Sequence, residues 1–283
     1  IAIAFLDLDV KGKVLNTGLI KKTRTLIYSW LAATAIYILI QIAYLLEQPF
    51  LASLDLTVIR SYLTQTSIGK SYLLQILGIG LLLLIPLKKV ISTYVALLIS
   101  LVAITSPVFQ SHGSTSGYHG LAIGALVVHV IALSFWVGGL FGLTQLSKAN
   151  KLIALPRFSE IALWSAIAVV LTGAATAWTR LDSIQAWQSK YGAVTLLKIF
   201  LAITLIGFGA LHRRWIIKSD YPSVFRLVTA EIGIMISTIF VGSWLSTINP
   251  PEREIISSPG FKRVVIAVNI ENLAPGLTMM LSC

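Results

Sequence analysis

Three of the four histidines fall within one short stretch of the sequence, at His112, His119 and His129. Imidazole is the commonest protein ligand for copper, zinc and nickel ions at neutral pH. A helix that begins near His119 carries His129 about 15 Å deeper, because each helical residue rises about 1.5 Å. The spacing predicts a metal-ion path from His112 in a loop, past His119 at the mouth, to His129. The plainer interpretations are a solvated loop residue for His112 and an interfacial polar residue for His119.

His129 and the residues that follow it are predicted to lie on one central helix. Trp136 comes seven residues after His129, so the two side chains share a helix face. His119 does not share it, because ten residues turn a helix by about 1000°, about 80° short of complete turns. One shared ion would need a ligand from another helix, and the alternative is two successive sites. We interpret Gly138 and Gly139 as packing residues that let a neighbouring helix approach closely.

Two charged residues interrupt otherwise apolar stretches, namely Lys198 and Glu231. An ionisable side chain inside a membrane segment is costly and by default indicates a function. Lys198 is expected to extend its long stem to the outer surface. Glu231 is expected to pair with Arg213 or Arg214, and a proton or ion relay is the second interpretation.

Sulfur ligands are scarce in this chain. Met235 is the only methionine in a long apolar stretch, so the sequence does not predict a Cu(I) relay built on Met or Cys. The single cysteine, Cys283, excludes disulfides, paired-cysteine metal clips and iron–sulfur clusters within the chain. Nucleophile elbows, phosphate-binding loops and HExxH motifs do not occur, so we predict that the protein is not an enzyme.

The elements that must position these residues are transmembrane helices. Of the 283 residues 56% are hydrophobic and 12% are charged, and this charged fraction is about half that of a soluble domain. No Asp, Glu, Lys or Arg occurs from Val90 to Ser147, which a soluble fold cannot sustain. We predict an all-α, polytopic transmembrane helix bundle of about seven spans, together with the end of a preceding span.

The predicted spans are Leu26–Leu46, Ser71–Leu87, Val90–Thr105, Gly120–Leu146, Ile161–Thr179, Tyr191–His212 and Leu227–Ile248. The third is short and needs Ser106 to Phe109 to reach full length.

The basic residues alternate from one side of these spans to the other. Segments 7–25, 88–89, 147–158 and 212–226 contain fourteen Lys and Arg residues, and the alternate segments contain seven. By the positive-inside rule the first set is cytoplasmic, which predicts a multi-pass protein of the cytoplasmic membrane. Orientation in the bilayer therefore explains the net charge of +11, and we predict no nucleic-acid partner.

Two segments on the predicted outer side have further patterns. The loop 47–70 is predicted either as a short amphipathic helix along the interface or as an ordinary loop. Within it, Thr66-Ser-Ile-Gly-Lys70 followed by Leu73-Leu74-Gln75 is similar to Ser189-Lys-Tyr-Gly192 followed by Leu196-Leu197-Lys198. Both stretches lead into a span from outside, which suggests an internal duplication.

The stretch from His129 to Leu140, HVIALSFWVGGL, resembles the copper resistance protein D family of integral membrane proteins associated with copper uptake and tolerance. Two further segments carry the resemblance: Tyr191-Gly192 with Leu197-Lys198 and Gly209-Ala-Leu-His212-Arg213-Arg214, and Phe225-Arg226 with Glu231 and Asn249-Pro250-Pro251. The likeness covers roughly residues 110–251, about half the chain. The family commonly has Asn at the position of His212, so His212 is given no metal role.

The resemblance implies transport of copper ions across the cytoplasmic membrane, often with an extracytoplasmic copper-binding partner. The ends, Ile1 and Cys283, look internal to a longer protein. The predicted regions are 1–25, the end of a preceding span and a basic loop; 26–109, spans one to three with the outer loop; 110–251, the copper resistance D-like core; and 252–283, an outer linker. The linker would lead to a membrane domain that resembles a cytochrome oxidase assembly factor.

Two other functions are compatible with these residues. One is a non-transporting scaffold that delivers copper to cytochrome oxidase or assists its assembly. The other is a bis-histidine membrane cytochrome, which needs histidine pairs at one depth on two helices. It ranks lower, because His129 is central in its span and His212 lies at the cytoplasmic end of another.

Overall fold

A computed structural model of the chain describes residues 17–47, 49–87, 90–110, 119–146, 148–181, 183–217, 221–248 and 251. These residues form helices and connections without a strand, so the all-α prediction is confirmed. Seven of the described helices are long and apolar enough to cross a membrane, as predicted. The chain forms two units, Ile1–Pro251 and Glu252–Cys283. The predicted preceding span (1–16), His112 and the predicted linker (252–283) lie outside the described residues.

The helices are numbered here in chain order. They are α1 (Thr17–Leu45), α2 (Leu56–Gln65), α3 (Ser67–Leu84), α4 (Val90–Thr105), α5 (His119–Gln145), α6 (Lys148–Arg180), α7 (Ile184–Trp187), α8 (Lys190–Ile217) and α9 (Tyr221–Thr247). α1 and α6 begin well before the predicted spans, within segments expected to be basic loops. Basic residues mark the end of an apolar segment, but they do not terminate the helix. The helical backbone continues to form its own hydrogen bonds outside the hydrocarbon layer.

Short helical segments complete two of the predicted features. A 3-10 turn at Ser106–Gln110 extends α4, so the short third span gains the length it was expected to need. The loop 47–70 contains a 3-10 turn, Phe50–Leu54, followed by α2. Asp55 caps α2, since its Oδ1 accepts a hydrogen bond from the Thr57 N–H at 2.7 Å. The helical interpretation of this loop is therefore confirmed.

Helix α5 lies between two groups of helices. α3 contacts α1, α2 and α4 in the first group, and α8 contacts α6, α7 and α9 in the second. α5 packs most extensively on α6 and also touches α4 and α9. Its buried side chains Trp136, Leu140 and Leu143 join the main hydrophobic core. The helix that carries His129 is thus the central one, as predicted.

Hydrogen bonds near the helix ends show which ends lie together. At one end of the bundle Lys22 Nζ donates to Gln145 Oε1 (2.7 Å), and Arg24 Nη1 donates to the Leu83 carbonyl (3.1 Å). At the other, Ser106 Oγ donates to the Ser71 carbonyl (3.0 Å). We call the first the basic end and the second the opposite end. Short connections then bring the start of α8 and the end of α9 to the opposite end.

The two similar outer segments form the same local structure. Thr66 Oγ1 accepts a hydrogen bond from the Gly69 N–H (2.9 Å), and Ser189 Oγ accepts one from the Gly192 N–H (3.1 Å). Each cap follows a short helix, α2 or α7, and starts a span. Each glycine also lies against the backbone of that short helix, where a Cβ would collide with a carbonyl oxygen. These shared contacts support the predicted duplication, with α1–α4 corresponding to α6–α9.

Candidate metal-ion site

His129 lies deep in the bundle and is shielded from lipid. Over the membrane-crossing part of α5, Gly120–Gln145, its Cα is about 5 Å from the middle, at about 1.5 Å per residue. Its side chain is 8% exposed. The imidazole is therefore held inside the protein near mid-membrane, at the depth that the sequence predicts.

A threonine on α6 holds the ring of His129 by one nitrogen. His129 Nδ1 lies 2.9 Å from Thr172 Oγ1. The Thr172 hydroxyl lies 2.6 Å from the Ala168 carbonyl and 3.2 Å from the Val169 carbonyl, and it can donate to either. When it does so it accepts from the ring, and a neutral imidazole with its proton on Nδ1 keeps the lone pair on Nε2. Metal-binding histidines are commonly oriented in this way by a hydrogen bond from the second ring nitrogen.

His129 lines a cavity of about 310 Å³ between α5, α6, α8 and α9. We call it the His129 cavity. Trp136, Lys198 and Met235 also line it, as do the hydroxyl-bearing residues Thr238, Ser243 and Ser246 of α9. Ser246 is close to the last residue of α9, Thr247, so the cavity extends toward the opposite end. This volume has room for several atoms of water size, each occupying about 30 Å³.

Met235 is the site residue that sequence reasoning missed. Its thioether is buried and lines the same cavity as His129. The sequence did not predict a sulfur-based copper relay because Met235 stands alone in its helix. In the structure Met235 and His129 come from different helices and line one cavity, so a soft sulfur and an imidazole nitrogen border the same space. Such a pair suits Cu(I), since thioethers select that oxidation state.

Lys198 does not reach the surface that it was expected to reach. It lies about 12 Å along α8 from the opposite end, and its Nζ lies against Gly242 of α9, 3.7 Å from where a Cβ would stand on that glycine. Gly242 is itself about 8 Å below the end of α9. The stem extends toward the opposite end, as predicted, but the ammonium stops within the His129 cavity. The glycine provides the space that allows this.

A second cavity, of about 200 Å³, lies toward the basic end. We call it the Glu231 cavity. Glu231 is 1% exposed, and Arg213 lines the same cavity. The pairing of Glu231 with Arg213 or Arg214 stays a prediction. Trp136 is buried and lines both cavities. The Trp136 side chain therefore stands between a space with a histidine and a space with a carboxylate.

The remaining predicted residues are placed only in part. His119 is the first residue of α5, and its side chain is not among those described. Gly139 is buried and Gly138 half-buried on α5, in keeping with a packing role. Within the described part of the chain, no three His, Cys, Asp or Glu side chains come together as a metal site. His129 and Met235, which line one cavity, do not belong to that class of site, because methionine is not among those four residue types.

Two family models match the sequence. That of the copper resistance protein D-like N-terminal domain matches residues 4–121, and that of copper resistance protein D matches residues 152–245. The chain belongs to the copper resistance protein D family. Within this family match, Lys198, Glu231 and Met235 fall in the second range, and His129 and Trp136 lie between the two ranges. No curated protein and no solved structure matches the chain.

Proposed function

We propose that this copper resistance D protein transports copper across the cytoplasmic membrane, with His129 and Met235 as the ligands inside the bundle. One observation carries the proposal. A mid-membrane imidazole, with Nδ1 engaged by Thr172, shares a cavity with a buried thioether in a chain of a copper resistance family. Copper is the cargo, and the protein has no enzymatic role.

The chemistry of the two ligands favours Cu(I) over Cu(II). A neutral imidazole and a thioether donate without adding negative charge, and soft ligands bind the monovalent ion preferentially. A site with few ligands also lets the ion leave again, which transport requires. The pair is therefore better suited to passage than to permanent storage of the metal.

The two cavities outline a route. Copper enters at the opposite end, which we assign to the outside, with His112 and His119 as the first ligands. It reaches His129 and Met235, passes Trp136 and arrives at the Glu231 cavity near the basic end. By the positive-inside rule we expect that end to face the cytoplasm. An extracytoplasmic copper-binding protein is the expected donor.

Uptake of Cu(I) into proteoliposomes under reducing conditions tests the proposal. We expect His129→Ala to lower the uptake rate at least tenfold and Met235→Leu, which conserves volume, to lower it several-fold. His212→Ala is the matched control and should transport normally, because no metal role is assigned to that histidine. Size-exclusion profiles of each variant establish that it is folded.

Two results would argue against this assignment. Unchanged uptake in a His119→Ala, His129→Ala double variant would remove the proposed route. Stoichiometric copper binding at His129 without any flux would favour the scaffold function in copper delivery to cytochrome oxidase. In that case a deletion strain should lose oxidase activity with unaltered copper accumulation.

A further inference from the structure

The His129 cavity is lined by a lysine, whose side chain is ordinarily a cation. Lys198 lines it beside His129 and Met235, yet none of the described residues around this cavity is Asp or Glu. Thr238 and Ser246 direct their hydroxyl protons to carbonyls of α9, at 2.8 and 2.6 Å. Their oxygen lone pairs can solvate an ammonium, but they do not cancel its charge. A buried charge without a counter-charge is costly in a membrane interior.

Copper makes this imbalance larger. In the proposed site a neutral imidazole of His129 and the thioether of Met235 bind the metal without contributing charge. A bound Cu(I) therefore adds one positive charge to that of the ammonium in the same cavity. Two like charges within a protein repel strongly because the surroundings screen them poorly. Neither His129 nor Met235 carries a negative charge that would offset the charges of Cu(I) and the ammonium.

We propose that the Lys198 side of the His129 cavity binds a small monovalent anion, of the chloride class, which accompanies Cu(I) through the site. This inference rests on the proposed function and specifies its substrate as an ion pair rather than a bare cation. The ammonium donates hydrogen bonds to the anion, while His129 and Met235 hold the metal. The cavity volume of about 310 Å³ accommodates both ions, since the anion is comparable to a water molecule of about 30 Å³ and Cu(I) is smaller.

The chain itself indicates a neutral replacement for Lys198. When the two similar outer segments are aligned, Gln75 of α3 stands at the position that corresponds to Lys198 of α8. Gln75 is buried, and its Oε1 has no hydrogen-bond partner among the described residues. A buried glutamine is thus compatible with this position in the corresponding helix. Lys198→Gln removes the charge with little loss of volume, and Lys198→Arg retains it as the matched control.

The first test measures anion binding on the purified full chain without copper. Iodide, a halide that quenches indole fluorescence, is titrated at constant ionic strength. We expect a saturable quenching component that disappears in Trp136→Phe, because Trp136 lines the cavity. It should also disappear in Lys198→Gln and persist in Lys198→Arg. Equal saturable quenching in wild type and Lys198→Gln would overturn the proposal.

The second test compares Cu(I) uptake in chloride with uptake in gluconate. We expect wild type and Lys198→Arg to slow several-fold in gluconate, and Lys198→Gln to respond much less to the exchange. A different result would overturn the proposal: equal uptake rates in chloride and gluconate, together with release of one proton per copper ion in wild type but not in Lys198→Gln. Lys198 would then lose its proton when copper binds, and no anion would be needed. If no variant transports copper, the proposed function fails, and the iodide titration still decides the anion site.

Discussion

At the scale of single residues, the feature that most affects chemistry is the hydrogen bond between His129 and Thr172. The Thr172 hydroxyl can donate to the Ala168 carbonyl while it accepts from Nδ1 of the ring. In the proposed site this bond fixes the ring orientation of His129 and leaves Nε2 for the metal. Thr172 is thus a positioning residue and is not expected to touch the metal.

Replacing Thr172 by valine should weaken copper binding by about ten- to a hundredfold, the usual effect of losing a partner that orients a metal-binding histidine. Cu(I) affinity is measured by competition with a chromogenic chelator at fixed pH. Thr204→Val is the control, because the Thr204 hydroxyl also bonds to its own helix, at the Phe200 carbonyl. Equal affinities for wild type and Thr172→Val would show that the ring needs no such support.

At the scale of elements, the entry from a short helix into a span is built twice, at Thr66 and at Ser189. The hydroxyl caps the third residue of the following helix, which is glycine in both cases. The glycine is required by space: the backbone of the preceding helix occupies the volume where a Cβ would stand. The cap at Ser189 sets the start of α8 and therefore the register at which Lys198 meets the cavity.

Gly192→Ala should destabilise the protein by about 1–3 kcal/mol, the typical cost of forcing an extra carbon into a packed site. Gly207→Ala in the same helix is the matched control, because a Cβ there meets no atom of the described part of the chain within 4 Å. It should be neutral or slightly stabilising, since alanine favours helix over glycine. Thermal denaturation in detergent, followed by size-exclusion chromatography, compares them. Similar midpoints for the two variants would contradict the steric argument.

At the scale of the whole molecule, the seven spanning helices alternate in direction, and like ends meet through Lys22, Arg24 and Ser106. This arrangement separates a basic end from an opposite end. The excess of Lys and Arg at the first predicts that it faces the cytoplasm. The His129 cavity, which extends toward the opposite end, would then receive copper from outside.

Cysteine labelling of intact cells or spheroplasts tests this orientation. In a Cys283→Ser background, Gln188→Cys at the opposite end should react with an impermeant maleimide added outside, because Gln188 is exposed between α7 and α8. Gly18→Cys, exposed at the start of α1, should react only after lysis. The reverse pattern would invert the proposed direction of copper movement.

Several features followed from the sequence alone because they depend on local composition. Charge-free runs of sufficient length predict spanning helices wherever they occur, since a membrane leaves no other way to satisfy the backbone. Counting residues along such a helix placed His129 near mid-membrane, and the alternation of basic loops predicted the topology. The predicted starts of α1 and α6 were late because hydropathy detects the hydrocarbon boundary and not the helix terminus.

The composition of the site was decided only by tertiary structure. In a lipid-exposed bundle the outer faces are as apolar as the inner ones, so no polar stripe on α5 or α9 indicates which face points inward. Helix rotation and choice of neighbour then depend on close packing between residues far apart in the chain. Met235 and Lys198 join His129 through that packing, and no local pattern around any one of the three predicts the other two.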